Sequence, residues 1–239
     1  MIVKLRAIVL GHIKYGDSSS IIKAYTSEGL KSFIAGGVRT KKGPLHTAML
    51  MPLTCLNVVC YDSNKSALKR VKEAQMVNPY RELHFNPIKS CLSLFLAEML
   101  QHCLKEEETN PALFEFLQNS FEALDAMQVE VGNFHLKFLM RLTVFLGFAP
   151  EGSNANQPYF DLQNGVYCSI APVHAFFLDV NETMLWKNLY QSTFENEITL
   201  ILNRAKRQRL LQRLLDYYKL HLNDFGKLRT VEVLQTILD

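Results

Sequence analysis

No uncharged apolar run in this sequence approaches the ~18 residues needed to span a bilayer. The opening MIVKLRAIVL carries Lys4 and Arg6 inside its apolar run, so it reads as a strand and not as a signal peptide. A cytoplasmic protein without a membrane partner is the expectation. The five cysteines (55, 60, 91, 103 and 168) include no C-x-x-C pair, which argues against a disulfide framework and for buried free thiols. Cys55 and Cys60 would face opposite sides of a strand, and Cys91 and Cys103 would lie three turns apart on a helix, so neither pair can share a metal. Neither G-x-x-x-x-G-K-[ST] nor G-x-G-x-x-G occurs, which removes sequence support for nucleotide hydrolysis. H-E-x-x-H is absent too, and the seven histidines show no metal-ligand spacing. The first 75 residues hold only Asp17, Glu28, Asp62 and Glu73 as acids, too dispersed for a two-metal nuclease site. The sequence offers no catalyst, metal or cofactor.

Charge is present in abundance but unevenly placed. Residues 1–75 carry twelve Lys/Arg against four Asp/Glu, whereas residues 76–200 carry six against fifteen. Residues 201–239 are basic again, with eight against four. A basic first third joined to an acidic middle points to a separate N-terminal module with an anionic partner. Glu106, Glu107 and Glu108 read as a solvated helix end.

The first 80 residues read as β. Short runs rich in β-branched and aromatic residues (2–10, 19–26, 30–35, 52–61 and 67–77) are separated by turn signals, and six of the eleven glycines fall before residue 44. Five strands in this length fit a barrel of the oligonucleotide/oligosaccharide-binding (OB) type, and an SH3-like barrel fits nearly as well. The hydrophobic period then changes to that of a helix. Asn86-Pro87 and Asn110-Pro111 each supply an N-cap followed by proline at the first helical position. A third helix over about 132–146 stops at Gly147, with Pro150 beyond. Asn164-Gly165, between apolar runs at 159–163 and 166–170, signals a type I′ hairpin. Helical spacing returns over about 193–203, 206–222 and 231–238. The expected layout is α+β and multidomain: an OB barrel over 1–80, then a helical domain over 81–239 interrupted by a small hairpin insert at 148–185.

Candidate binding residues follow from alternation and spacing. GGVRTKKGPL places Arg39, Lys41 and Lys42 in a glycine- and proline-bounded surface loop that is either a solvated hairpin tip or an anion site. Strand alternation puts Lys23 beside Tyr25, and Lys31 beside Phe33, on faces opposite Ile22, Ala24, Leu30 and Ile34. A lysine beside an outward aromatic is what a single-strand platform needs, with cations on phosphates and rings on bases. The two rings alternatively pack against the helical domain. Lys65, Lys69, Arg70 and Lys72 extend the positive surface. A second basic face, Lys206, Arg209 and Arg213 at i, i+3 and i+7, lies opposite a stripe of Leu210, Leu211, Leu214 and Tyr218. On the third helix Lys137 and Arg141 share a face at i, i+4, near Phe134, Phe138 and Phe145.

The run SSSIIKAYTSEGLKSFIAGGVRTKKGPLHTAMLMPLT resembles the N-terminal signature of the RecO family of bacterial recombination mediators. LGFAP is similar to the stretch before that family's zinc-finger-like insert, and YYKLHLNDFGKLRTVEVLQTIL to its closing helices. The resemblance implies an OB fold joined to a helical domain, binding of single- and double-stranded DNA, and annealing of complementary strands. It also implies contact with single-strand-binding protein and, with RecR, help in loading RecA on coated DNA. It places Arg39, Lys41 and Lys42 in the family's cationic loop. It places Lys137 at a basic position near the expected dock of the acidic tail of single-strand-binding protein. Many family members hold zinc through four cysteines in the insert, whereas residues 148–185 contain Cys168 and His174 as the two candidate ligands, too few to close such a site. Barrel and charge alone also fit an OB-fold RNA- or tRNA-binding protein.

Overall fold

A computed structural model describes residues 1–38, 43–61, 67–104, 109–129, 131–153, 155–192 and 202–238. The chain forms two compact units, one of residues 1–127 with 228–234 and one of 128–227 with 235–239. Compactness therefore divides the chain at other points than residue 80, because the first two helices gather with the barrel.

Five strands, β1 (Ile2–Tyr15), β2 (Ser19–Thr26), β3 (Gly29–Ala35), β4 (Cys55–Tyr61) and β5 (Leu68–Met76), close a barrel in the order β1-β2-β3-β5-β4. Closure needs β1 to serve two neighbours, and it does so by running fourteen residues with a register shift between Val9 and Gly11. The one parallel pairing, β3 with β5, is bridged by the residues from Gly36 to Ala67. This is the expected OB arrangement, and closing the sheet removes the exposed edges that an open one would leave. Leu5, Ala7, Val9, Ile22, Ala24, Phe33, Leu56, Val58, Cys60 and Val71 fill its interior.

The outer face of β1 is also apolar. Ile8 and Leu10 are buried there, which explains why the strand reads as a continuous hydrophobic run. Helix α1 (Pro87–Cys103) packs on this strand, and Gln101 Nε2 donates to the Leu10 carbonyl at 2.7 Å beside the shift. Helix α2 (Pro111–Ala126) follows. Both helices start as expected: Asn86 Oδ1 accepts from the Ile88 and Lys89 amides, and Asn110 Oδ1 from that of Leu113, while proline fills N1. The Asp125 carboxylate ties the linker between barrel and helices by accepting from the Arg81, Glu82 and Leu83 amides.

In the second unit, α3 (Phe134–Phe145) ends where Gly147, at φ +81°, turns the chain. Phe148 N donates to Thr143 O and Gly147 N to Val144 O, the paired bonds of a Schellman ending. A small sheet, β6 (Tyr159–Asp161), β7 (Val166–Cys168) and β8 (Phe177–Leu178), in the order β7-β6-β8, forms the insert. Its hairpin differs from the type I′ turn expected. Asp161 pairs with Val166, so four residues form the loop, and only Gly165 takes positive φ. The Asp161 carboxylate drives this choice by accepting from the Gln163 and Asn164 amides and the Asn164 side chain.

A helix absent from the sequence reading, α4 (Val180–Gln191), begins inside the expected insert. Its start is a reciprocal capping box between Asp179 and Glu182, a D-x-x-E spacing that the sequence carries. Of the helix expected over 193–203, residues 193–201 lie outside the described residues. Helix α5 (Arg204–His221) buries Leu210, Leu211, Leu214 and Tyr218, the stripe read from the sequence. A short α6 (Val231–Ile237) follows. Among the described residues no helix is long and apolar enough to cross a membrane.

Candidate nucleic-acid interface

Three of the barrel's cationic residues, Lys69, Arg70 and Lys72, lie on β5, which runs between β3 and β4. Arg70 stands in register with Ile34 of β3 on one side and Tyr61 of β4 on the other. Further along, Val59 faces Glu73 while Cys60 faces Val71, so the register slips and Lys72 is the extra residue. Two residues apart on the strand, Arg70 and Lys72 share its outer face and line one open groove of about 640 Å³ with Gly36, Pro44, Tyr61 and Val71. Lys72 Nζ lies 3.3 Å from Glu73 Oε1, an exposed pair that leaves the lysine available to a stronger anion.

Gly36 and Pro44 flank the GGVRTKKGPL segment. Arg39, Lys41 and Lys42 themselves lie outside the described residues, but the frame that holds them does not. Val38 and Leu45, on either side, are anchored in the barrel core. Between them the backbone pinches: a Cβ on Gly43 would stand 2.1 Å from the Gly37 carbonyl oxygen, and Gly37 itself has φ +69°. Glycine is required at both positions, one for space and one for conformation.

The paired lysine-aromatic platform is corrected by the register. Ile22 faces Phe33 and Ala24 faces Lys31, so Phe33 shares the interior side and fills the barrel. The sequence phase of β3 is displaced because Leu30, assigned inward for its apolarity, belongs to the outer side beside Tyr25. Tyr25 does point outward, yet it is buried. Its ring stacks on Phe114 of α2 at 6.3 Å, and the Arg6 guanidinium lies 5.2 Å from the center of the same Phe114 ring. Neither ring offers a face to a base. Lys23 is half-buried beside Ser32, and Lys31 pairs with Glu28 at 3.3 Å. Lys69 is half-buried and Arg70 exposed; Lys65 lies outside the described residues.

In the second unit the basic face of α5 is less free than its spacing suggests. Arg209 and Arg213 both donate to the carboxylate of Glu182, 2.5 and 2.9 Å from Oε1 respectively, while Lys206 remains exposed. Burial raises the Glu182 carboxyl, but the two guanidinium hydrogen bonds outweigh it and hold the group below its ordinary value. The expected docking surface on α3 also changes. Phe134 and Phe138 stack on each other at 6.1 Å and are buried, and Lys137 is only 8% exposed. Arg141 is half-buried, and Val144 is the exposed apolar residue on that helix. That Lys137 and Arg141 share a face of α3 was legible in the spacing; that the core takes the side holding Phe134, Phe138 and most of Lys137 was not.

Among the described residues no group of three or more His, Cys, Asp or Glu is placed to hold a metal ion. The insert is instead organised by the Asp161 turn, with His174 Nε2 3.3 Å from its carboxylate. An aromatic cluster in which Phe160 meets Tyr167, Trp186 and Tyr217 completes it. Four of the five thiols are buried; burial pushes that of Cys55 up to about 11, a protonated and unreactive state at neutral pH.

Known proteins are similar to this chain along its whole length. The family models for the N-terminal and C-terminal parts of Recombination protein O match residues 1–80 and 84–229. DNA repair protein RecO of Flavobacterium psychrophilum is 38% identical over 99% of both chains. The proteins of that name from Bacteroides fragilis and Porphyromonas gingivalis are 35% and 32% identical over the full length of each chain. With both family models matched in order and the identity sustained from end to end, the chain belongs to the RecO family of DNA repair proteins.

Proposed function

We propose that this protein is a non-enzymatic mediator of DNA repair by recombination. It binds single- and double-stranded DNA, anneals complementary strands, and acts with RecR to place RecA on DNA coated by single-strand-binding protein. It works in the cytoplasm, at the nucleoid when bound to DNA. The observation that carries this reading is a closed OB barrel, in a chain of this family, whose first 75 residues hold twelve basic side chains against four acidic ones. Such a module neutralises phosphates without reading sequence, and holding two strands in one positive field lowers the repulsion that opposes their pairing. The test is annealing of short complementary oligonucleotides without ATP or divalent metal, with and without the coating protein. Acceleration in both conditions is the expected result; absence of any acceleration by the full chain sinks the mediator reading. Preference for RNA over DNA of the same sequence would return it to the RNA-binding alternative.

The acidic, aromatic-ended tail of single-strand-binding protein is proposed to dock on α3. With Phe134 and Phe138 buried, the surface left to receive it is built from Arg141, the edge of Lys137, and the apolar Val144 and Phe145. Arg141→Glu reverses the more accessible charge and is expected to weaken capture of the tail peptide at least tenfold while naked-DNA affinity stays within twofold. Lys137→Glu buries a carboxylate and is therefore the poorer probe. Unchanged peptide affinity in Arg141→Glu, measured by fluorescence anisotropy, places the dock elsewhere.

A further inference from the structure

The barrel has cations for phosphates, but the two rings that the strand alternation assigns to the bases are covered. Tyr25 is covered by Phe114, and Phe33 fills the interior. Single-strand binding on an OB barrel draws much of its strength from base stacking on aromatic faces set beside a positive track. Among the described barrel residues the large exposed aromatics are Tyr15 and Tyr61. Tyr15 ends β1 opposite Ser19, next to the acidic Asp17. Tyr61 is different. It ends β4, is 46% exposed, stands in register with Arg70, and lines the groove that also holds Lys72.

We infer that Tyr61 is the base-stacking residue of a single-stranded DNA track that runs through the groove between Arg70, Lys72 and the neck of the cationic loop. The inference rests on the mediator reading and deepens it by placing the strand. The groove volume of about 640 Å³ lies in the range of ligand sites and accepts a nucleotide unit. The walls divide the work: Arg70 and Lys72 face phosphates, the Tyr61 ring takes a base, and Gly36, lacking a Cβ, lets the strand approach the backbone. Strand alternation makes this possible, because Arg70 and Lys72, two residues apart on β5, share the outer face on either side of the core residue Val71. Glu73, paired with Lys72, competes with phosphate for that lysine. The site also lies away from the end of the β2–β3 face that Tyr25 and Phe114 close.

Stacking and charge are separated by comparing an oligothymidylate with an abasic oligonucleotide of the same length, which keeps every phosphate and removes every base. Affinities are measured by anisotropy on the full chain over a range of salt. The wild-type protein is expected to prefer the oligothymidylate. Tyr61→Ala lowers that affinity about fivefold to 100-fold, the span set by one stacked base, and leaves the abasic affinity and the salt slope unchanged. Tyr61→Phe keeps the preference. Glu73→Gln strengthens binding to both oligonucleotides. A base preference that persists in folded Tyr61→Ala overturns the inference and leaves the mediator reading standing. A wild-type chain that binds neither oligonucleotide overturns both. Should Tyr61→Ala lose its circular dichroism spectrum, photocrosslinking of 5-iododeoxyuridine strands to the wild-type chain decides: adduct on Tyr61 supports the track, and adduct confined to other residues refutes it.

Discussion

Replacing Arg39, Lys41 and Lys42 together by alanine is expected to weaken single-stranded DNA binding about 100-fold near 0.1 M salt. Each phosphate neutralised on a single strand contributes about 0.7 to the slope of log affinity against log salt, so three lost cations flatten it by about two. Two units of slope, read from a 1 M reference down to 0.1 M, amount to two decades of affinity. The neck of the loop makes this a clean removal of charge. Val38 and Leu45 stay in the core, and the close approach of Gly37 and Gly43 is untouched by substitution between them. Anisotropy titrations at four or more salt concentrations measure both quantities. A slope equal to that of the wild-type chain would mean that the three cations face only solvent and that the track relies on Arg70 and Lys72.

Substituting Glu182 by alanine is expected to cost about 2–3 kcal/mol and to lower the melting temperature by about 5–10 °C. Glu182 is nearly buried and satisfies Arg209, Arg213 and the backbone of its own helix cap, where Asp179 N donates to Oε2. Its loss strands two guanidinium groups and opens the capping box. The cost stays near the lower end of what buried pairs show because the Arg209 side chain is 61% exposed and regains water. The pH dependence has a defined sign. The folded carboxyl sits below its ordinary value, so its contribution is complete above about pH 4.3 and is lost as pH falls through the folded value. Glu182→Gln is therefore expected to show a flatter stability profile on the acid side than the wild-type chain. Thermal melts by circular dichroism between pH 3 and 7 check both statements; a Glu182→Ala chain that melts with the wild type would reduce the cluster to a surface contact.

The same cluster shows why the second basic face looked stronger in sequence than in the fold. Spacing of Lys206, Arg209 and Arg213 establishes that they share a side of α5. It does not show that Glu182, 27 and 31 residues earlier than Arg209 and Arg213, stands between the two of them. Phosphate binding on this face would have to displace an internal carboxylate, so Lys206 is its most available cation.

Much of the architecture is written in local patterns that the chain carries residue by residue. Asn86-Pro87 and Asn110-Pro111 start helices because their cap bonds are made within three residues. Gly147 ends one because an αL residue closes the last turn. Five β runs in 80 residues were enough to anticipate a small barrel. Long-range contacts decided the rest. The faces of β3 depend on its register with β2, and apolar residues on both sides make that phase ambiguous along the strand itself. Tyr25 is buried by a ring 89 positions further along the chain. The Asn164-Gly165 turn is overruled by a carboxylate at Asp161 that binds the loop amides. Tyr61, unremarkable at the end of an alternating run, becomes a candidate site only where pairing of β4 with β5 brings Arg70 and Lys72 beside it. Alternation and capping act over a few residues, so the sequence determined where strands and helices lie. Burial depends on what packs opposite, so only the closed barrel and its covering helices decided which aromatics face solvent.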